Sequence, residues 1–118
     1  MSYDIFLDDP VTGKTIDLDG PHQLAGGTFA IGGTTEAWLN ITYNYGRHFR
    51  AVLGAEGIRW LYGKSGAETL PKLREAAKAL GDDVHPDYWE PTEGNAKAAL
   101  MQLIALAQLR PDGIWSGD

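Results

Sequence analysis

The sequence contains no cysteine among its 118 residues. Disulfide bonds, thiolate zinc sites and thiol nucleophiles are therefore excluded, because each of them requires a cysteine side chain. A chain without disulfides is compatible with a reducing compartment, and we take the cytoplasm as the expected location.

The sequence also lacks a long hydrophobic run. Its longest apolar stretch, residues 98–109, is interrupted by Gln102 and Gln108, and it is shorter than the roughly 20 residues that a membrane-spanning helix needs. The first residues, MSYDIFLDDP, do not show the basic region and apolar core of a secretory signal. The sequence therefore predicts neither a membrane partner nor a secretory signal.

Basic residues are few. The sequence contains 10 Lys and Arg and 16 Asp and Glu, so its net charge is −6. These cations are spread along the chain, so the sequence predicts no nucleic-acid partner, which would require a basic patch facing the phosphates. The carboxylates are dispersed as well, and only Asp8-Asp9 and Asp82-Asp83 are adjacent. This dispersion favours a role in solubility over mimicry of DNA.

Recognisable catalytic and metal-binding motifs are missing. There is no GxSxG or SxxK motif, and His22, His48 and His85 do not have the spacing of a zinc site. Gly63-Lys64-Ser65 resembles the end of a phosphate-binding loop, but the motif needs four residues between its glycines and five separate Gly57 from Gly63. The sequence thus predicts no catalytic residue, no metal and no cofactor, and leaves open a simpler anion contact near Lys64.

The patterning predicts a single α+β domain over residues 1–118. Alternating apolar residues indicate a strand from Tyr3 to Asp9, and the turn DPVTGK lets the segment KTIDL pair back as a hairpin. A third strand is predicted at residues 29–31 between pairs of glycines, and a fourth from Ala37 to Tyr45. Together they predict a small antiparallel sheet of three or four strands in meander order.

Helical periodicity follows the strands. A short helix is predicted over residues 47–53, and a longer one begins at Ser65 or Thr69, keeps Pro71 in its first turn and ends before Gly81. The last helix begins after Thr92, stops before Pro111 and has the broadest apolar face. We expect these two C-terminal helices to pack on one face of the sheet as a two-layer sandwich.

The predicted strand from Ala37 to Tyr45 has an unusual polar side, because asparagine is depleted in strands. This side is either an ordinary solvated sheet face or a polar binding face next to a cluster of cations. The hypothesis of a ligand or partner site includes these strand residues, the cluster and a later lysine: Trp38, Asn40, Thr42, Asn44, Arg47, His48, Arg50 and Lys64.

Four blocks of sequence resemble a family of short uncharacterised proteins found in phages, prophages and bacterial genomes. The blocks are LNITYNYG (39–46), GIRWLYGKSGAETLP (57–71), DYWEPTEGNAKAAL (87–100) and LRPDGIWSGD (109–118). The resemblance carries no known activity, so it transfers no catalytic residue. It implies a compact intracellular protein from a mobile-element context.

These observations favour a non-enzymatic binding protein with a protein partner, such as an inhibitor or modulator of a host defence system. The aromatic residues expected at the surface as anchors are Trp38, Trp60, Tyr88, Trp89 and Trp115. One alternative is a binder of a nucleotide-like or other anionic small molecule, and a second is a small enzyme without a recognisable motif. The sequence is also compatible with a homo-oligomer.

Overall fold

The structure, a computed structural model, describes residues 1–22 and 34–118. The strand predicted at residues 29–31 lies outside the described residues. These residues combine a small antiparallel sheet with three α-helices, which confirms the predicted α+β class.

Strand β1 (Ser2–Asp8) is the centre of a three-stranded antiparallel sheet. The other named strands are β2 (Asp17–His22), β3 (Thr34–Glu36), β4 (Trp38–Thr42) and β5 (Ile114–Gly117). Strand β4 pairs with one edge of β1 and β5 with the other, while β2 and β3 form a separate antiparallel pair. The strand order β4-β1-β5 is not a meander, because the last strand of the chain lies beside the first.

The turn after β1 has the predicted local chemistry. Gly13 has a φ of +72°, and its backbone N–H donates to the Asp9 carbonyl at 2.8 Å. The Asp9 carboxylate accepts from the N–H groups of Val11 at 2.8 Å and Thr12 at 3.0 Å. The turn returns the chain to β1, where Ile16 donates to the Leu7 carbonyl at 2.9 Å.

The predicted fourth strand is shorter than expected. It ends at Thr42, and residues Tyr43–Tyr45 form a 3₁₀ turn. The Thr42 hydroxyl accepts from the Asn44 N–H at 3.2 Å. Local bonds of this kind compete with the backbone hydrogen bonds of a β-sheet. Tyr43 and Tyr45 therefore do not continue the strand.

The helices are α1 (Gly46–Leu53), α2 (Gly66–Ala79) and α3 (Glu93–Leu109), with a 3₁₀ segment at Gly57–Leu61. A capping box starts α2, because Glu68 N–H donates to Ser65 Oγ at 3.1 Å and Ser65 N–H donates to Glu68 Oε1 at 2.7 Å. This start places Pro71 in the second turn, one turn later than predicted. Thr92 caps α3 as predicted, accepting from the Asn95 N–H at 3.1 Å.

One hydrophobic core joins the sheet to the helices. Ile5 and Leu7 of β1 and Leu39 of β4 are fully buried in it, as are Leu73 of α2 and Leu100 of α3. Among the described residues, no helix is both long and apolar enough to cross a membrane.

Trp115 on β5 belongs to this core and is not a surface anchor. It is 1% exposed, and its indole Nε1 donates to Thr69 Oγ1 at 2.9 Å. The interpretation of Trp115 as an exposed aromatic is therefore wrong. The reason is that β5 pairs with β1, from which it is separated by more than 100 positions in the sequence.

Candidate functional site

The polar side of β4 is occupied by contacts within the sheet. Asn40 is 8% exposed, and its Nδ2 donates to Ser2 Oγ and to Asp4 Oδ1, both at 2.8 Å. Trp38 is half-buried, stacks on Phe6 and donates from Nε1 to the same Asp4 oxygen at 3.3 Å. The donors of this strand thus fix β4 against β1, and Asn40 is not part of a solvated face.

The residues just after β4 bind the loop formed by residues 81–92, which we call the aromatic loop. Asn44 Nδ2 donates to the Trp89 carbonyl at 2.8 Å, and His48 Nε2 lies 2.7 Å from the Pro91 carbonyl, to which it donates. The Tyr45 hydroxyl donates to the Tyr88 carbonyl. Three side chains from the 3₁₀ turn and α1 therefore hold three backbone carbonyls of the aromatic loop.

Asn95, in the first turn of α3, fixes the aromatic loop from its other side. Its side chain is 2% exposed and makes three hydrogen bonds to the loop backbone. The amide Nδ2 donates to the carbonyls of Asp87 at 3.1 Å and Glu90 at 3.0 Å, and Oδ1 accepts from the His85 N–H at 3.1 Å. A buried asparagine with all three of these bonds made specifies one loop conformation.

Gly94 permits the loop to approach α3 closely. A Cβ at this position would lie 2.7 Å from the carbonyl carbon of Asp83 and from the nitrogen of Val84. Real Cβ atoms do not come this close to backbone, so any other residue would displace the loop from the helix.

The aromatic loop also has internal bonds. Trp89 N–H donates to the Asp87 carboxylate at 3.1 Å, and Asp87 N–H donates to His85 Nδ1 at 3.0 Å. The backbone of the loop is therefore held by its own side chains as well as by those of α1 and α3.

Most side chains of the aromatic loop face solvent. Trp89 is 51% exposed and stacks on Tyr88, with ring centroids 4.7 Å apart. Val84, earlier in the loop, is 69% exposed. Exposed carboxylates surround these apolar groups, at Asp82, Asp83, Asp87 and Glu90.

A small cavity of about 90 Å³ lies between the aromatic loop and β4. Asn40 and Thr42 line it from the strand, Tyr88 and Trp89 from the loop, and Met1 and Ser2 complete the lining. This cavity joins part of the predicted site to two of the predicted aromatic anchors.

Burial raises the pKa of the Tyr45 hydroxyl from its ordinary value of 10.0 to about 12, and the neighbouring Tyr88 and Asp87 add to the shift. All these causes disfavour a phenolate. The hydroxyl therefore remains protonated and available to donate to the Tyr88 carbonyl.

The predicted cations do not line the cavity beside β4. Arg47 and Arg50 are exposed on α1. Lys64 Nζ donates to the Trp60 carbonyl at 2.7 Å and lies 4.9 Å from the centre of the Trp60 ring. The cavity beside β4 is lined by none of these three cations, nor by His48.

Metal chemistry has no candidate in the described ranges, where no three His, Asp or Glu side chains are grouped to hold an ion. His48 is instead engaged with the Pro91 carbonyl.

Two residues that build this site, Tyr45 and Asn95, are absent from the predicted set. The alternation of residues predicts Tyr45 on the apolar side of a strand, whereas the 3₁₀ turn directs its hydroxyl to the loop. Asn95 carried a usable signal, because asparagine is a poor helix former and this one lies three residues after the Thr92 cap. The spacing of residues in the sequence does not predict the bonds that Asn95 makes to residues 85–90.

Comparisons of the chain with protein families, with curated proteins and with solved structures gave no match. The resemblance to phage and prophage proteins therefore stays a prediction.

Proposed function

We propose that this protein is a non-enzymatic binding protein that contacts a protein partner through the aromatic loop. The observation that carries the proposal is Trp89, which is half-exposed on a loop whose carbonyls are bound by Asn44, Tyr45 and Asn95. Large aromatic side chains dominate the binding energy of many interfaces. A loop that is already ordered loses little conformational entropy when it binds, so its aromatic anchor contributes more of its contact energy to affinity.

The size of the neighbouring cavity favours a protein over a small molecule. Small-molecule sites usually measure roughly 300–1,000 Å³, whereas the cavity beside Trp89 measures about 90 Å³. This space suits the tip of one partner side chain that inserts between Trp89 and β4.

The charge around Trp89 favours a partner surface with basic residues at its rim. Asp87 and Glu90 are exposed on either side of the Tyr88-Trp89 pair. Complementary charges of this kind accelerate association and select among partners more than they raise affinity.

The biological setting that we propose comes from the sequence resemblance alone. A compact protein of a phage or other mobile element would use such a contact to inhibit or modulate a host defence system inside the cell. The partner is then expected to be a protein of a bacterial defence system.

The test is affinity capture from a bacterial lysate with three tagged forms of the protein: wild type, Trp89→Ala and Leu109→Ala. Leu109 is a matched control, because it is also a large exposed apolar residue, at 64%, and lies at the end of α3. We expect wild type and Leu109→Ala to retain the same partner. Trp89→Ala should weaken its binding about 30-fold, which corresponds to roughly 2 kcal/mol at a central anchor.

Circular dichroism should show similar melting temperatures for all three forms, because the hydrogen bond from Asn44 goes to the Trp89 backbone and the indole is half-exposed. The proposal fails if Trp89→Ala captures the partner as well as wild type does. It also fails if Leu109→Ala loses the partner to the same extent.

A further inference from the structure

A second concave surface lies between α2 and α3, away from the residues that line the cavity at Trp89. It is a groove of about 420 Å³, which we call the basic groove, and its lining residues are Arg74, Ala77, Lys78, Lys97, Met101, Ile104, Ala105 and Gln108. Those from Arg74 to Lys78 belong to α2, and those from Lys97 to Gln108 belong to α3.

The charge of the basic groove is opposite to that of the whole protein. Its lining contains three cations and no carboxylate, although the chain has a net charge of −6. Within residues 1–22 and 34–118, neither Arg74 nor Lys78 forms an ion pair or a side-chain hydrogen bond. Two cations of the groove are thus available to a ligand.

The third cation, Lys97, is paired with Asp82 at 2.7 Å. The Asp82 side chain is 88% exposed, and ion pairs at such positions contribute little stability. An acidic ligand can therefore replace Asp82 as the partner of Lys97 at small cost.

The floor of the basic groove is apolar. Ala77 and Ile104 are buried beneath it, while Met101 is 51% exposed and Ala105 is also exposed. Alanine on both helices leaves the groove open, and the unbranched methionine adapts its shape to an apolar partner.

The groove on the opposite side of α2 does not combine an apolar floor with an excess of cations. It measures about 490 Å³ and lies between α1 and α2. Its lining contains one cation and one carboxylate, Lys72 and Glu75, and Lys72 Nζ already lies 4.2 Å from the centre of the Trp60 ring. This groove is larger but has no net charge with which to select a ligand.

We infer that the basic groove binds an acidic amphipathic helix of a protein partner. Helices of this kind place an apolar stripe in a groove between two other helices and their charged flanks against its rim. The 14 residues of α2 extend for about 21 Å, which matches roughly four turns of a bound helix. Leucines of the ligand would contact Met101 and Ile104, and its glutamates would contact Arg74 and Lys78. The inference adds a second contact surface and does not depend on Trp89.

The test uses a fluorescein-labelled 18-residue helical peptide with leucines at i, i+3, i+4 and i+7 and glutamates on both flanks. A second peptide has lysine in place of every glutamate. Fluorescence anisotropy should show that the wild-type protein binds the acidic peptide at least tenfold more tightly than the basic one.

Two charge reversals on α2 form a matched pair. Lys78→Glu removes a cation from the basic groove, whereas Lys72→Glu makes the same change of net charge in the other groove. We expect Lys78→Glu to weaken binding of the acidic peptide about tenfold and Lys72→Glu to change it less than twofold. Met101→Ala should weaken binding severalfold through the loss of apolar contact.

The inference is overturned if wild type does not distinguish the two peptides, or if both reversals weaken binding equally. Concentration-dependent dimerisation that Lys78→Glu abolishes, without peptide binding, would assign the groove to a second copy of the chain. Binding to phosphatidylglycerol vesicles that Lys78→Glu abolishes, without peptide binding, would assign it to a lipid surface. Either result would replace the proposed occupant.

Discussion

Strand β4 and the aromatic loop both carry polar and aromatic side chains, and the protein uses them in opposite ways. In β4 the side chains form the internal bonds, so Asn40 and Thr42 are 8% and 3% exposed. In the aromatic loop the backbone carbonyls form the internal bonds, so the indole of Trp89 is left half-exposed. A polar side chain on a strand therefore does not by itself indicate a binding surface, whereas a loop with a satisfied backbone can present its side chains outward.

The largest effect on stability is expected when the buried side chain that holds the loop backbone is removed. Asn95→Ala leaves two loop carbonyls and one N–H without their buried partner. We expect a loss of about 2–3 kcal/mol in the free energy of unfolding, because unsatisfied buried polar groups are costly. Urea denaturation followed by circular dichroism measures this loss.

Asn44→Ala is the matched control for this experiment. It removes the same kind of side chain, but Asn44 is exposed and makes one bond to the loop, so water can replace it. We expect a loss of about 0.5–1 kcal/mol. Equal losses in the two variants would contradict the central role of Asn95.

The second prediction concerns the pH dependence of stability, through the hydrogen bond that Tyr45 donates to the loop. The pKa of Tyr45 is raised from 10.0 to about 12 in the folded protein, so the unfolded chain releases this proton at lower pH. The contribution of Tyr45 to stability is therefore complete below pH 10 and is lost as the pH rises from 10 to 12. Melting temperatures measured across this range should fall for wild type and fall less for Tyr45→Phe.

Tyr62→Phe provides the comparison for the pH experiment. Burial and the nearby Asp118 raise the pKa of Tyr62 to about 12 as well, but its hydroxyl lies near the Asp118 carbonyl, away from the aromatic loop. Tyr62→Phe should reduce the alkaline loss too, because it removes the second hydroxyl with a raised pKa. If Tyr45→Phe shows the full alkaline loss of wild type, the Tyr45 bond does not contribute to it.

The smallest effect is expected at the predicted cations of α1. Arg47 and Arg50 are both exposed, so the double substitution to alanine should change stability by less than about 0.5 kcal/mol. Thermal-shift measurements with nucleotides should show no rise in melting temperature for wild type or for the variant. A nucleotide that raises the melting temperature of wild type alone would instead support the alternative of a small anionic ligand.

Sequence reasoning succeeded where the determining contacts are local. The Thr92 cap and the apolar face of α3 follow from residues within one or two turns, and seven apolar residues on that face are buried: Ala96, Ala99, Leu100, Leu103, Ile104, Leu106 and Ala107. The turn at Gly13 is equally local.

Sequence reasoning failed where the contacts connect distant segments. Strand β5 and the burial of Trp115 depend on pairing with β1, and the position of the aromatic loop depends on bonds from Asn44, Tyr45 and His48 about 43–45 positions away. The predicted site includes Asn44 and His48, and both side chains bind backbone carbonyls of the aromatic loop in the same protein.

The central position of β1 has a consequence for synthesis. This strand is synthesised well before β5, yet one of its edges pairs with Ile114–Gly117. That edge stays unpaired until the ribosome has synthesised more than 100 further residues, and an unpaired strand edge can pair with other nascent chains. We therefore expect a chain that is truncated before residue 114 to be insoluble when it is translated, whereas the chain that includes β5 folds.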